Sequence, residues 1–273
     1  MSPTTIPGKM TLAQEFTPQG YMSEFPSQYG LWTPAEISTA LWLDATDATK
    51  IALSGSNVTQ WTDKSGNSRN ATPYTVSPTY NATGLNSRGT IDFDGSTQAL
   101  QVADFYQSDW YIMVVAKTND ASTDQTIASK FDGLANREFI FRFSSSNKLS
   151  ATINPVGNSG AQNSGAGSSG TTGTSFGVFG FYKNGTTCEL GINGTIDSRT
   201  FNTSTVYDGT LPFAIGRVSF GDYLNGSIQQ FVVTQGAPTA DTMRKLEGWA
   251  AWSSGLEALL PVTHPYKTSP PRL

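Results

Sequence analysis

Ala40-Leu41-Trp42-Leu43-Asp44-Ala45, Trp61-Thr62-Asp63-Lys64-Ser65-Gly66-Asn67 and Ile91-Asp92-Phe93-Asp94-Gly95-Ser96 are the segments on which the fold turns. Apolar and polar residues alternate in them, and Asp, Ser, Gly and Asn cluster between them. Alternation with period two builds half-buried strands, and those clusters build the turns that join them. Leu41 and Leu43 fall on one strand face, Trp42 and Asp44 on the other. The segments read as antiparallel sheet.

The same pattern extends outward. Ile51–Leu53 and Val58–Trp61 flank the turn Ser54-Gly55-Ser56-Asn57. Residues 64–90 are polar, contain Pro73 and Pro78, and read as a long loop. Leu100–Ala103 follows. Trp110–Ala116 is apolar throughout, as expected of a central strand covered on both faces. Gln125–Phe131, Phe139–Phe143 and Leu149–Ile153 continue the sheet. Residues 154–175, rich in Gly, Ser, Thr and Asn, read as a flexible loop. Phe176–Lys183, Cys188–Ile192 and Thr195–Phe201 are joined by Asn184-Gly185 and Asn193-Gly194, both hairpin turn signals. Leu211–Gly216 and Ile228–Thr234 complete the strands. One helix is expected between the N-cap Thr239 and Gly255, with Met243, Leu246, Trp249 or Ala250, and Trp252 or Ser253 at helical spacing.

About a dozen short strands with turns between them indicate an all-β fold. We expect a two-sheet antiparallel jelly-roll sandwich with one C-terminal helix and extended N- and C-terminal arms. The organisation expected is an arm over 1–38, the sandwich over 39–236, the helix over 237–258 and a proline-rich tail over 259–273. The first arm carries Pro3, Pro7, Pro18, Pro26 and Pro34, which exclude helix. Between them stand Phe16, Tyr21, Phe25, Tyr29 and Trp32, and a merely solvated tail would lack aromatics. The arm either wraps its own domain or docks on a partner.

Composition excludes several functions. The net charge of −4 and pI of about 5.0 leave no basic footprint for nucleic acid. No apolar run approaches the roughly 20 residues of a membrane-spanning helix, so membrane insertion is not expected. The start, Met1-Ser2-Pro3-Thr4-Thr5, lacks a charged region followed by an apolar one, and no secretory signal is expected. Cys188 is the single cysteine, which excludes an intrachain disulfide framework, and it reads as a small core residue.

The chain resembles a concanavalin A-like (laminin-G-like) jelly-roll module. The resemblance rests on Leu41-Trp42-Leu43-Asp44-Ala45, on Trp61 to Asn67 with Ala71, on Ile91 to Ser96 with Leu100, and on Leu190-Gly191-Ile192-Asn193-Gly194. Lys245 to Trp252 and His264-Pro265-Tyr266 resemble the endings of such modules in phage and marine-microbial proteins. It covers roughly Ala40 to Pro271 and makes Trp42, Asp44, Trp61, Asp63, Gly66, Phe93, Asp94 and Gly95 structural signature positions. It implies glycan or protein recognition, sometimes glycan hydrolysis, and decoration or adhesion on virions.

Hydrolysis by a retaining pair needs two carboxyls about 5–5.5 Å apart. Glu189 has no acidic partner at strand spacing. Asp92 and Asp94 are two apart, but they flank Phe93 and enter the Gly95-Ser96 turn, so they read as structural. His264, the only histidine, stands in a proline-rich tail with no nucleophile motif and reads as a packing or capping residue. No enzymatic activity is expected. Asp63, Ser65 and Asn67 place three oxygen side chains at alternate positions, as calcium loops do, but such residues equally stabilise turns. Structural calcium is the only cofactor considered. The Asn-x-Ser/Thr triplets at Asn57, Asn81, Asn184, Asn193 and Asn225 are better explained by turn geometry than by glycosylation. Trp32, Tyr106, Trp110 and Tyr223 are candidate platforms for sugar rings or, alternatively, core and interface residues.

Two functional expectations result. The first is a non-enzymatic phage structural protein on the virion surface, a capsid decoration or tail-fibre component. It would be anchored by its arms to other virion proteins and sister subunits as a homo-oligomer. The alternative is a lectin-like carbohydrate-binding module for host-surface glycans.

Overall fold

A computed structural model describes residues 30–133, 136–156 and 164–273. Phe16, Tyr21, Phe25 and Tyr29 of the expected arm lie outside the described residues.

The chain forms a two-sheet antiparallel sandwich with a helix on one outer face. One sheet has ten strands. Its order is β15 (Thr195–Thr200), β14 (Thr187–Ile192), β13 (Gly177–Asn184), β8 (Trp110–Thr118), β17 (Asn225–Thr234), β6 (Arg88–Asp94), β5 (Thr79–Leu85), β3 (Asn57–Trp61) and β2 (Ile51–Ser54). Strand β1 (Thr39–Asp44) pairs with β17 over residues 230–234, beyond the stretch of β17 that pairs with β6. The second sheet has seven strands. These are β12 (Ser164–Thr171), β11 (Lys148–Ile153), β10 (Arg137–Ser144), β9 (Gln125–Phe131), β16 (Phe213–Ile215), β7 (Leu100–Val102) and β4 (Thr72–Pro73).

Alternation decides which core each residue joins. Leu41, Leu43, Ile112, Val114, Phe139, Phe141, Phe143, Phe179 and Phe181 fill the space between the sheets. Their strand neighbours Trp42, Tyr111, Met113, Val115 and Val178 point the other way, into a second core beneath the helix. The central strand β8 is therefore covered on both faces, as its unbroken apolar run requires. Helix α1 (Ala240–Ser254) closes the second core with Met243, Leu246, Trp249 and Ala250. Its N-cap Thr239 accepts a hydrogen bond from Thr242 N at 3.2 Å, and Gly255 ends it at φ +69°.

Two stretches read as loops contain strands. Residues 64–90 hold β4, β5 and the start of β6. Residues 154–175 hold β12, whose sequence Ser-Gly-Ala-Gly-Ser-Ser-Gly-Thr has almost no side chains to show a period. Its partner β11 aligns it through backbone bonds at the sheet edge, where no apolar face is required. Trp32, grouped with the arm by sequence, is 5% exposed and packs in the helix-side core. Its backbone N donates to Pro271 O at 3.0 Å, so the described start of the chain is held against its end.

Candidate functional site

The signature residues build a self-contained corner. Asp63 Oδ1 accepts from Trp42 N (3.0 Å) and Ser65 N (2.9 Å), and Oδ2 accepts from Ser65 Oγ (2.7 Å) and Arg69 N (3.0 Å). Asn67 turns its amide nitrogen to Thr39 O at 2.8 Å, with Gly66 at φ +86° making the bend. Lys64 Nζ sits 3.1 Å from Asp44 Oδ2, 3.3 Å from Asp47 Oδ2 and 4.6 Å above the Trp42 ring. Trp61 is fully buried. Four donors converge on the Asp63 carboxylate, a set that satisfies its lone pairs and suits a loop staple rather than a cation. Asp63, Ser65 and Asn67 therefore do not fit the calcium reading.

The carboxylates at 92 and 94 do different things. Asp94 Oδ1 accepts from the backbone N of Ser96, Thr97 and Gln98, and Oδ2 accepts from Thr97 Oγ1 at 2.6 Å. Slight burial would raise its pKa, but these hydrogen bonds hold it well below the carboxylate range. Asp92 accepts from Thr90 Oγ1 at 2.8 Å. With its pKa held down and four donors on its oxygens, Asp94 is poorly placed to serve as a general acid near neutral pH. Gly95 is required by contact: at φ +76° a Cβ would stand 2.6 Å from Asn225 Cβ. Phe93 is buried between the sheets.

Cys188 is buried in the same core, and burial pushes its thiol up to about 12, so it is an inert packing residue. Asn193 adopts φ +51° in its turn and accepts from Val178 N at 2.8 Å. Glu189 faces Tyr182 and Ser198 across its ladders. Trp110 is 3% exposed, which with the buried Trp32 removes both tryptophans from the candidate sugar platforms. Tyr106 is partly exposed and donates to Val206 O at 3.1 Å. Tyr223 stacks on a guanidinium, Arg217 Cζ lying 5.4 Å from its ring and 4.2 Å from that of Tyr74.

The helix packs on the outer face of the ten-stranded sheet. On that of the seven-stranded sheet Val218 joins Phe131 and Ile140 in a small apolar cluster, and Ser129 Oγ donates to Arg217 O at 2.8 Å, so the segment after β16 covers part of it. One register row across that face runs Thr72, Gln101, Ala214, Ser129, Ile140, Thr152 and Gly165. The next places Arg142 beside Ser150 and Gly167. A trough lies where these rows cross β10 and β11. A groove of about 520 Å³ lies there, with Ile140, Arg142 and Thr152 in its lining. Phe131, Phe220 and Arg137 wall it. The Phe131 and Phe220 rings meet edge to face at 5.9 Å, and the Arg137 guanidinium lies 5.1 Å over Phe131. Phe220 is 55% exposed. Arg142 Nη1 reaches Asp124 Oδ2 at 2.7 Å and Asp222 Oδ2 at 3.4 Å. Burial, joined by the charge of Asp124, raises Asp222 against the pull of Arg142. Such a groove offers a ring face and forked donors to a polar ligand. Sequence reasoning missed Phe220; the available signal was a lone phenylalanine inside the turn chemistry of Ser219-Phe220-Gly221-Asp222.

Solved structures share this architecture. The binding domain of Paraclostridial Mosquitocidal Protein 1 superposes with a TM-score of 0.58 at 16% identity, over 77% of this chain and 52% of that one. Botulinum neurotoxin type C, in a structure describing cell entry dependent on two ganglioside molecules, gives 0.56 at 14% identity over 79% and 52%. The binding domain of botulinum neurotoxin DC, in complex with rat synaptotagmin II, gives 0.55 at 14% identity over 77% and 51%. The chain thus spans about half the length of these structures, and at such identities the likeness is one of fold. No family model and no curated protein matches the sequence.

Proposed function

We propose that the chain is a non-catalytic, lectin-like module that binds carbohydrate in the trough on the outer face of its seven-stranded sheet. The observation that carries this is the exposed Phe220 ring in a groove that two guanidiniums, Arg137 and Arg142, line with Ile140 and Thr152, on the outer face of the seven-stranded sheet. Pyranose rings stack on aromatic faces, and their hydroxyls pair with guanidinium and carboxylate groups. The likeness to toxin binding domains, one reported with gangliosides, supports the same reading. Engagement of Asp94 by four hydrogen-bond donors supports a role without catalysis.

Of the two expectations from the sequence, the fold likeness supports glycan adhesion rather than a virion structural role. A module displayed on a particle would satisfy both, and the trough bears only on glycan adhesion. The test is a glycan array with the full chain and with Phe220→Ala. Retained binding by the variant, or no binding by either protein, would remove the trough from consideration.

A further inference from the structure

At one end of the sandwich a buried lysine meets two carboxyls. Lys130 on β9 is 2% exposed, and its Nζ lies 2.6 Å from Asp104 Oδ1, in contact with Glu138 Oε2 and 3.1 Å from Phe105 O. Phe105, Trp110, Phe139 and Phe213 surround the group. Glu138 is buried, while Asp104 is 39% exposed. An ion pair taken out of water is costly to keep. Burial pushes Glu138 up to about 8, with Lys130 opposing and the nearby charges of Asp104 and Asp208 adding to it.

We propose that Lys130 Nζ and Asp104 Cγ join in an intramolecular amide, with Glu138 moving the protons. One proton passes from the ammonium through Glu138 to the Asp104 carboxylate, leaving a neutral amine beside a carboxylic acid. The Nζ lone pair attacks Cγ and forms the C–N bond. Glu138 then carries a second Nζ proton to a hydroxyl of the adduct, and that C–O bond breaks. The products are one amide and one water, which leaves by the exposed side of Asp104. The step is redox-neutral. A desolvated lysine held against its electrophile with a proton carrier in contact has the elements of covalent bond formation.

The bond would have structural value. Asp104 follows β7 and Lys130 lies on β9, both in the seven-stranded sheet, while β8 between them in sequence belongs to the other sheet. The closed loop would therefore clamp both layers. With a single cysteine the chain has no intrachain disulfide to do this.

The test is the intact mass of the denatured full-length protein, followed by tryptic mapping. We expect wild type one water lighter than its sequence, with a branched peptide joining the Asp104 and Lys130 segments and no cleavage after Lys130. Asp104→Ala and Glu138→Gln, each with a wild-type circular dichroism spectrum, are expected at full mass. A wild-type protein at full mass with Lys130 in a linear peptide would overturn the proposal. So would a missing water that maps to a succinimide at Asp94-Gly95, Asp132-Gly133 or Asp208-Gly209. A Glu138→Gln protein that keeps the bond would overturn the role of Glu138.

Discussion

His264 Nε2 lies 3.2 Å from Glu247 Oε2, in a space that solvent does not reach. The same carboxylate accepts from Arg244 Nη1 at 2.8 Å and, through Oε1, from Tyr111 Oη at 3.2 Å. Tail, helix and the central strand β8 are thus tied at one acid. Burial, and then the charge of Glu247, raises the Tyr111 hydroxyl well above its usual range and keeps it a donor.

Removing that acid strands Tyr111 and His264 in a buried space, while Arg244 keeps its bond to Gly194 O at 2.7 Å. Glu247→Ala is expected to lower stability by about 3 kcal/mol in urea titration. His264→Ala deletes one arm of the network and is expected to cost about 1 kcal/mol while exposing residues 259–273 to limited proteolysis. A Glu247→Ala protein as stable as wild type would show that the network carries no weight.

Asp63 is expected to matter through hydrogen bonds and not through metal. Asp63→Ala should cost about 2–4 kcal/mol, because Trp42 N, Ser65 N and Arg69 N lose their acceptor. Adding calcium or a chelator should leave the melting midpoint of wild type unchanged. A calcium-dependent rise would restore the metal reading of Asp63, Ser65 and Asn67.

Phe220 separates binding from stability. Its ring is mostly in solvent, so Phe220→Ala should change unfolding free energy by less than about 1 kcal/mol. Affinity for an array-identified glycan should fall at least about tenfold, since ring stacking is worth about 1 kcal/mol or more. Equal loss of stability and binding would mean that the ring is structural.

Asp94 sets part of the acid limb. Its folded pKa is depressed, so the unfolded chain binds more protons wherever the two states differ. Its contribution is complete above the ordinary value of 3.8 and is lost as pH falls from there toward the folded value. Stability curves of wild type and Asp94→Ala should run parallel near neutral pH and converge below about pH 4. A gap that persists at low pH would assign the effect to packing.

The strands that alternate were legible. Leu41 and Leu43 lie between the sheets and Trp42 lies under the helix, as the period of two requires. Cys188 was legible for the same reason. The strand β12 was not, because Gly165 and Gly167 carry no side chain and an edge strand forms no second apolar face. His264 read as a packing residue, but its partner is seventeen positions away on another element, a separation that no local pattern encodes.

By itself the sequence determined the sandwich, its turns and its one helix, because period, capping and turn chemistry act over a few neighbouring residues. Only the tertiary structure decided which outer sheet face the helix covers, since both faces of β8 are apolar and nothing local says which one the helix will stack on. It also decided that Phe131 meets Phe220 and that Asp104, Lys130 and Glu138 meet at one end of the core. These are long-range encounters, set by how whole strands pair and layers stack rather than by any residue's preference for its own neighbours.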